Sequence, residues 1–240
     1  MPNYADSVDK QKLSSLEILD QNRRLADHEV QFDNRIYSVL NGVFSPAIFN
    51  AWKSFTPILE NDIKPKTTLL EIGCGCGISG IHLYLNRKLS ELVMTDINPK
   101  AVINAKLNAL KLTDNSKITV LESDIFDNLN TAQKFDTIYW NYPWIQEVDD
   151  YEYKDDLEKG LFDPGYKYLK RFLFESKEHL GVNGVLYLGW GDFGNQKLLE
   201  DLLEEYKYSH SIVSNDEGLE ENIVRFILYK IVPKVSHIGK

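Results

Sequence analysis

The sequence contains few cysteines and histidines, and neither residue type is arranged to hold a metal. Its two cysteines, Cys74 and Cys76, lie two positions apart in a glycine-rich segment. That separation is too short for ordinary disulfide geometry, and two thiols are too few for a structural zinc site. The five histidines show no HxxxH or HxH spacing. We therefore predict that the protein binds no metal.

Long apolar runs are also missing from the chain. No stretch approaches the roughly 20 consecutive apolar residues that are needed to cross a membrane. The first residues, MPNYADSVDK, contain acidic side chains and no apolar run, so they resemble neither a secretory signal nor a transit peptide. We expect a cytoplasmic protein that has no membrane partner.

Basic residues are in the minority, with 27 lysines and arginines against 36 aspartates and glutamates, for a formal net charge of -9. A chain of this charge repels phosphate, which disfavours a nucleic-acid partner without excluding one. Hydrophobic residues make up 43% of the sequence. This composition is typical of an ordinary globular chain that is long enough for one large α/β core.

Short apolar runs alternate with helical patterns through the middle of the chain, which predicts βαβ units and a parallel sheet. Two further apolar runs near the end are joined by a loop too short for a crossover helix, so we expect them to pair antiparallel. The predicted fold class is α/β, with a mostly parallel Rossmann-like sheet and an antiparallel C-terminal strand. The predicted strands are residues 67–72, 91–95, 117–121, 135–140, 185–189, 209–214 and 224–232, and the predicted helices are 78–85, 98–110, 166–179 and 196–205.

The residues ahead of this core form a smaller unit in our prediction. Residues 13–25 have the pattern of an amphipathic helix, residues 28–44 that of one or two β-hairpins, and residues 45–60 that of another helix. No flexible linker separates these segments from the core. We therefore predict an N-terminal cap at residues 1–50, which packs on a catalytic domain at residues 51–240.

A glycine-rich loop follows the first predicted strand in the segment LLEIGCGCG, which spans residues 69–77. Glycines at 73, 75 and 77, around Cys74, allow the backbone to approach a ligand closely and direct helix N–H groups toward it. Gly75, Gly77 and Gly80 also satisfy the G-x-G-x-x-G pattern of dinucleotide-binding proteins, so an NAD-dependent dehydrogenase is an alternative.

Acidic residues at the ends of three successive strands favour S-adenosyl-L-methionine over a dinucleotide. Glu71 suits the cationic aminoacyl end of that molecule better than a pyrophosphate. Asp96 can accept both ribose hydroxyls, a role that NAD enzymes share. Asp124 can accept from the adenine amino group, while Ile97 and Ile125 lie on either side of the ring. Ligands of open α/β sheets bind at this edge.

The tetrapeptide Asn141-Tyr142-Pro143-Trp144 directly follows the fourth predicted strand. With the glycine loop and the three carboxylates, it resembles the (N/D)PP(Y/F/W) methyltransferases. The segment VFSP at residues 43–46 resembles the one that precedes the core of release-factor glutamine methyltransferases and their small-domain relatives. The resemblance implies a methyltransferase that depends on S-adenosyl-L-methionine (SAM). The cofactor-binding residues that we expect are Glu71, Gly73, Cys74, Gly75, Gly77, Asp96, Ile97, Asp124, Ile125 and Asn141.

The chemistry of the tetrapeptide can be argued from its atoms. An amide or exocyclic amine is a poor nucleophile because its lone pair is delocalised. The Oδ1 atom of Asn141 and the carbonyl of Tyr142 can accept both N–H bonds and hold the nitrogen in line with a methyl donor, with Trp144 stacked on the planar group. Positioning of this kind can lower a barrier by roughly 7–11 kcal/mol.

Several functions remain open at this stage. The leading hypothesis is N-methylation of a planar nitrogen in a protein side chain, such as glutamine, or in a small molecule, including a natural product. The second is methylation of an adenine or guanine amino group in RNA or DNA. The third is a SAM-binding protein that has lost catalysis, because Tyr142 replaces the family's proline. The acidic segment 147–158 is predicted to be a solvated loop that covers the site and admits a neutral or cationic partner.

Overall fold

The structure is a computed structural model that describes residues 16–87, 89–114, 116–143, 145, 150–191, 194–215 and 225–234. Nine strands and the helices between them account for most of these residues. None of the helices in the described ranges combines the length and the hydrophobicity of a membrane span. The strands are β1 (His28–Phe32), β2 (Arg35–Val39), β3 (Thr68–Ile72), β4 (Glu91–Asp96), β5 (Ile118–Glu122), β6 (Phe135–Asn141), β7 (Leu180–Gly191), β8 (Tyr208–Asn215) and β9 (Phe226–Pro233).

Most of the helices lie between successive strands, as βαβ units require. Helix α4 begins as predicted, because the Asn98 side chain accepts the Lys100 N–H at 2.9 Å and Pro99 occupies the first helical position. The helices are α1 (residues 16–24), α2 (Ala51–Asp62), α3 (Ile78–Arg87), α4 (Pro99–Leu112), α5 (Asp156–Lys159), α6 (Lys167–His179) and α7 (Gln196–Glu205), and a 3-10 turn spans Pro164–Tyr166.

The main sheet has seven strands in the order β5-β4-β3-β6-β7-β9-β8. Strands β3 to β7 pair parallel with one another, and β9 pairs antiparallel with both β7 and β8. The prediction of a mostly parallel α/β sheet with antiparallel strands at its C-terminal end is therefore confirmed.

Alternating side chains build one hydrophobic core on each face of this sheet. Leu70 and Ile138 belong to the core that α6 and α7 cover, whereas Leu69 and Tyr139 belong to the core under α2, α3 and α4. Because β3, β4, β5 and β6 pair parallel, their carboxyl ends meet at one edge of the sheet.

The hairpin of β1 and β2 forms a separate two-stranded sheet that packs on α4. The amide of Asn104 accepts the Leu40 N–H, and that of Asn108 accepts the Ser38 N–H, both at 2.9 Å. Asparagine side chains in α4 thus extend the hydrogen bonding of β2, and they attach the hairpin to the core.

The predicted helix at residues 45–60 is wrong at its start, because α2 begins at Ala51. Residues 45–50 instead form turns, in which Ser45 N–H donates to Asn22 Oδ1 at 2.7 Å and Trp52 Nε1 donates to the Pro46 carbonyl at 2.8 Å. Asn41-Gly42 is also a turn, with Gly42 at φ 83°, and there is one hairpin in the described residues between 28 and 44.

Candidate active site

A cleft opens at the carboxyl ends of the parallel strands, and most of the predicted site residues line it. Gly77 is missing from the lining, and Trp144 lies outside the described residues. The predicted residues found in the lining are Glu71, Gly73, Cys74, Gly75, Asp96, Ile97, Asp124, Ile125, Asn141, Tyr142 and Pro143.

Asp96 joins the glycine loop to the start of α4. Its Oδ2 atom accepts the Gly75 N–H at 2.8 Å, and its Oδ1 atom accepts the Asn98 N–H at 2.9 Å. A carboxylate has about four acceptor positions, so each oxygen keeps one for a ligand. Burial raises the pKa of Asp96 to about 6, although both backbone donors lower it.

The three glycines of the loop have two different roles. Gly73, Gly75 and Gly77 have φ values of 63°, 56° and 81°, which favour glycine. A Cβ on Gly75 would meet no atom within 4 Å, so the backbone there borders open space. A Cβ on Gly77 would lie 3.3 Å from the Cβ of Ala105, so Gly77 allows α3 and α4 to pack closely.

Glu71 is a buried residue in the lining of the cleft. Its Oε2 atom accepts the N–H of Gly80, in the first turn of α3, at 2.9 Å. A Cβ on Gly80 would clash with this oxygen. Burial, with a smaller contribution from the charge of Asp96, raises the pKa of Glu71 to about 8. The carboxyl is therefore mostly protonated at neutral pH in the ligand-free protein.

Asp124 is paired with Arg171, a residue to which the sequence analysis assigned no role. Arg171 Nη1 lies 3.1 Å from Asp124 Oδ1, and the same guanidinium contacts Asp127 and Glu175. Burial raises the pKa of Asp124, against the opposing effect of Arg171. Beside it, Ile125 is buried with φ 51°, a costly conformation for a β-branched residue at the cleft wall.

Asn141 ends β6, and its amide makes no hydrogen bond with any described residue. The space that it occupies depends on Gly189, because a Cβ there would lie 2.9 Å from Asn141 Oδ1 and 2.6 Å from Phe55 Cε2. Gly189 also accepts the Tyr142 N–H at 3.3 Å through its carbonyl. Sequence reasoning missed Gly189, although a glycine inside a strand can mark a close approach of this kind.

Tyr142 is anchored by its side chain. The hydroxyl donates to Asp163 Oδ2 at 2.6 Å, and the ring stacks on Trp190 with centroids 5.4 Å apart. Asp163 also accepts the N–H groups of Tyr168 and Leu169, where α6 begins. Burial and the Asp163 charge raise the pKa of Tyr142 well above its usual range. A proline would restrict this position through its ring, whereas here a buried hydrogen bond does so.

The segment that follows packs against α1, and the prediction of a solvated loop is wrong for its buried end at residues 157–158. Arg23, in α1, donates to Asp155 Oδ2 and Glu158 Oε1, both at 2.7 Å. The Glu158 side chain is 0% exposed and also accepts from the Tyr151 hydroxyl. Asp156 and Leu157 line the cleft together with Phe44, Pro46 and Phe49 of the N-terminal segment. Residues 146–149 lie outside the described residues.

Comparison with known proteins identifies the family. Residues 34–216 match the methyltransferase small domain. The chain belongs to this family. The resemblance that the sequence analysis drew from the glycine loop and the NYPW tetrapeptide is therefore confirmed.

Curated relatives match part of the chain. The ribosomal protein uL3 glutamine methyltransferase of Francisella tularensis is 31% identical over 58% of this chain and 45% of its own length. The release factor glutamine methyltransferase of Rhodopirellula baltica is 29% identical over 62% of this chain and 53% of its own. The chain therefore spans about half the length of these curated relatives.

A solved structure shares the fold at low identity. The T. thermophilus 16S rRNA N2 methyltransferase, solved in complex with AdoMet and guanosine, superposes with a TM-score of 0.61 and 18% identity. The match covers 87% of this chain and 50% of that one. This similarity confirms the Rossmann-like methyltransferase fold.

Proposed function

We propose that the protein is a SAM-dependent N-methyltransferase that acts on a planar amide or amino nitrogen. The observation that carries this proposal is the amide of Asn141, which has no hydrogen-bond partner among the described residues. It stands at the end of β6 in the same cleft as Asp96 and the glycine loop. Family membership supports the reaction class, and the glutamine methyltransferases among the relatives support the nitrogen acceptor.

The residues present fit S-adenosylmethionine. Asp96 retains acceptor positions for the ribose hydroxyls, and the backbone at Gly75 borders open space. Asp124 and the side chains of Ile97 and Ile125 would hold the adenine. When bound, the cofactor supplies an electrophilic methyl group on a sulfonium. The roles of these residues remain part of the proposal.

The acceptor nitrogen would be held by two oxygens. Within the described residues, neither the amide of Asn141 nor the carbonyl of Tyr142 is engaged in another hydrogen bond. Together they can accept both N–H bonds and favour pyramidalisation as positive charge develops on the nitrogen, so no strong base is needed. Pro143 borders the same space, and Trp144 is proposed to stack on the planar group.

The charge of the cleft favours a protein or small-molecule acceptor over nucleic acid. Among the described residues, its lining contains the carboxylates of Asp96, Asp124 and Asp156 and the mostly protonated Glu71, against the amine of Lys159. Such a surface repels phosphate and admits a neutral or cationic segment. We therefore propose a glutamine-like side chain on a protein loop as the substrate.

The division into a cap at residues 1–50 and a catalytic domain at residues 51–240 is also a proposal. The separate sheet of β1 and β2 supports it. Phe44 and Phe49 line the cleft, so the cap would take part in forming the site. A cytoplasmic location stays a prediction.

The test compares the wild type with Asn141→Ala, and Asn34→Ala in the exposed β1–β2 turn is the matched control. Binding of SAM is measured by calorimetry, and transfer of a labelled methyl group is measured on release factors, ribosomal proteins and rRNA. We expect transfer to protein, a loss of roughly 10²-fold or more in Asn141→Ala with SAM still bound, and no change in the control. Methylation of rRNA alone would overturn the acceptor class, and SAM binding without any transfer would favour the non-catalytic alternative.

A further inference from the structure

A buried asparagine in α4 bonds both to the β1–β2 hairpin and to the glycine loop. Asn108 is 0% exposed. Its Oδ1 atom accepts the Ser38 N–H at 2.9 Å, and its Nδ2 atom donates to the carbonyls of Ser38 and Cys76, both at 2.8 Å. Both N–H bonds of the amide are therefore in use. The amide has one orientation that fits, because an oxygen in the place of Nδ2 would face two carbonyls.

The bond to Cys76 holds a part of the glycine loop that lines the cleft. Cys76 lies in that lining beside Gly75, where the backbone borders open space. Its carbonyl belongs to the same peptide unit as the Gly77 N–H, which donates to the Cys74 carbonyl at 2.8 Å. This peptide unit is thus held at its N–H by the loop itself and at its carbonyl by Asn108. It resists rotation, which helps the loop to keep its positive φ values.

Asn104, four residues earlier in α4, makes similar bonds to the hairpin. It is also 0% exposed. Its Oδ1 atom accepts the Leu40 N–H at 2.9 Å, and its Nδ2 atom donates to the Ser38 carbonyl at 2.7 Å. Attachment of the hairpin to α4 is therefore sufficient to explain Asn104. It does not explain why the Asn108 amide also reaches the Cys76 carbonyl.

Resting on the proposed function, we propose that Asn108 is a positioning residue that holds the glycine loop in its cofactor-binding conformation and couples the loop to the β1–β2 hairpin. A loop that is ordered before the ligand arrives loses less conformational entropy on binding, so the affinity is higher. The coupling is reciprocal, because a ligand that fixes the loop also fixes the Asn108 amide and its bonds to β2. The hairpin thus acts on the cofactor site through α4.

The first test compares Asn108→Ala with Asn104→Ala as the matched control, and the affinity for S-adenosylhomocysteine is measured by calorimetry. Each variant loses its bonds to the hairpin, so the melting temperatures should fall by similar amounts. The bond to the glycine loop is lost in Asn108→Ala alone. We expect this variant to bind S-adenosylhomocysteine about tenfold more weakly, and Asn104→Ala to bind it within about twofold of the wild type.

The second test starts from the wild type, so it does not depend on the folding of a variant. Hydrogen exchange of single amides is followed by NMR with and without S-adenosylhomocysteine. The Leu40 N–H, which donates to Asn104, reports on the hairpin, and the amides of α7 on the opposite face of the sheet report any general stabilisation. We expect the ligand to slow exchange at Leu40 about threefold more than in α7. In Asn108→Ala this excess should disappear, although the acceptor of the Leu40 N–H is still present.

The possible results separate this inference from the proposed function. Wild-type affinity of Asn108→Ala for S-adenosylhomocysteine would overturn the inference and leave the proposed function standing. Equal weakening in both variants would also overturn it, because the bond to Cys76 would then make no difference. If the ligand slows exchange at Leu40 no more than in α7, the coupling to the hairpin is wrong. Failure of the wild type to bind S-adenosylhomocysteine would overturn the proposed function itself, and with it this inference.

Discussion

The two halves of the cleft are held together by different kinds of bond. In the cofactor half, formed by the glycine loop and Asp96, carboxylates accept backbone N–H groups, as Asp96 does from Gly75 and Asn98. In the half proposed for the acceptor and called the acceptor half, formed by residues 141–143 and 150–161, carboxylates also accept backbone N–H groups, but bonds between side chains of distant segments are added to them. Tyr142 donates to Asp163, and Arg23 donates to Glu158, which is 135 positions away in sequence.

This difference explains which half departs from the family pattern. A bond to a backbone N–H needs the right loop conformation, and that conformation needs glycines at particular positions. A bond between two side chains needs only a complementary pair. The acceptor half can therefore replace proline by Tyr142, provided that Asp163 and Trp190 hold the new side chain. We expect substitutions to separate the two halves experimentally.

The largest effect is expected from Gly189→Ala, which disturbs the acceptor half and the Phe55 ring beside it. The added Cβ would lie 2.9 Å from Asn141 Oδ1 and 2.6 Å from Phe55 Cε2, so the amide must move. A displacement near 1 Å can cost about 10²-fold in turnover, and we expect a loss of that size with SAM affinity retained. Turnover on the acceptor is compared with calorimetric binding.

Gly181→Ala serves as the control for Gly189→Ala, because it makes the same change on β7 outside the cleft. It should leave turnover near the wild-type value even if the protein becomes less stable. If Gly189→Ala also keeps wild-type turnover, the proposed position of the Asn141 amide is wrong.

A smaller effect is expected from Tyr142→Phe, which tests whether a side-chain bond has taken over the role of proline. Removing the hydroxyl leaves Asp163 with a buried oxygen that has lost its hydroxyl donor. We expect a loss of about 1–3 kcal/mol in the free energy of unfolding. Turnover should fall about tenfold, since the residue that holds the carbonyl at position 142 becomes less restricted.

Tyr153→Phe provides the comparison for this variant, because the Tyr153 hydroxyl donates to the Phe162 carbonyl from the neighbouring segment. It should cost less stability and leave turnover unchanged. Equal effects of the two substitutions would mean that Tyr142 contributes packing and not orientation.

The same contrast explains what the sequence could predict. The sheet and the glycine loop follow from periodicity and from local spacing, and the strand ends brought Glu71, Asp96 and Asp124 to one cleft as expected. The start of α2 was misplaced because Pro46 and Trp52 bond to each other in a turn. The Arg23–Glu158 pair could not be predicted from local sequence, since each charge alone is typical of a solvated surface.

The smallest expected effect is a change of ligand affinity with pH, and it is expected from Asp96 in the cofactor half. The pKa of Asp96 is raised to about 6 from its ordinary 3.8. The folded, ligand-free protein therefore holds its proton more tightly than the unfolded chain, and its stability falls as pH rises between those two values. The affinity for the ligand should instead rise with pH, because only the ionised carboxylate offers every acceptor position to the ribose.

We therefore expect S-adenosylhomocysteine to bind about fourfold more weakly at pH 5.5 than at pH 7.5, in calorimetric titrations at constant salt. Asp96→Asn should bind weakly at both values and lose the dependence, whereas the exposed Asp20→Asn should keep it. Any trend that remains in Asp96→Asn above pH 7 belongs to Glu71, whose pKa is raised to about 8. A wild-type affinity that is flat from pH 5.5 to 7.5 would show that Asp96 binds the backbone of the loop and not the ligand.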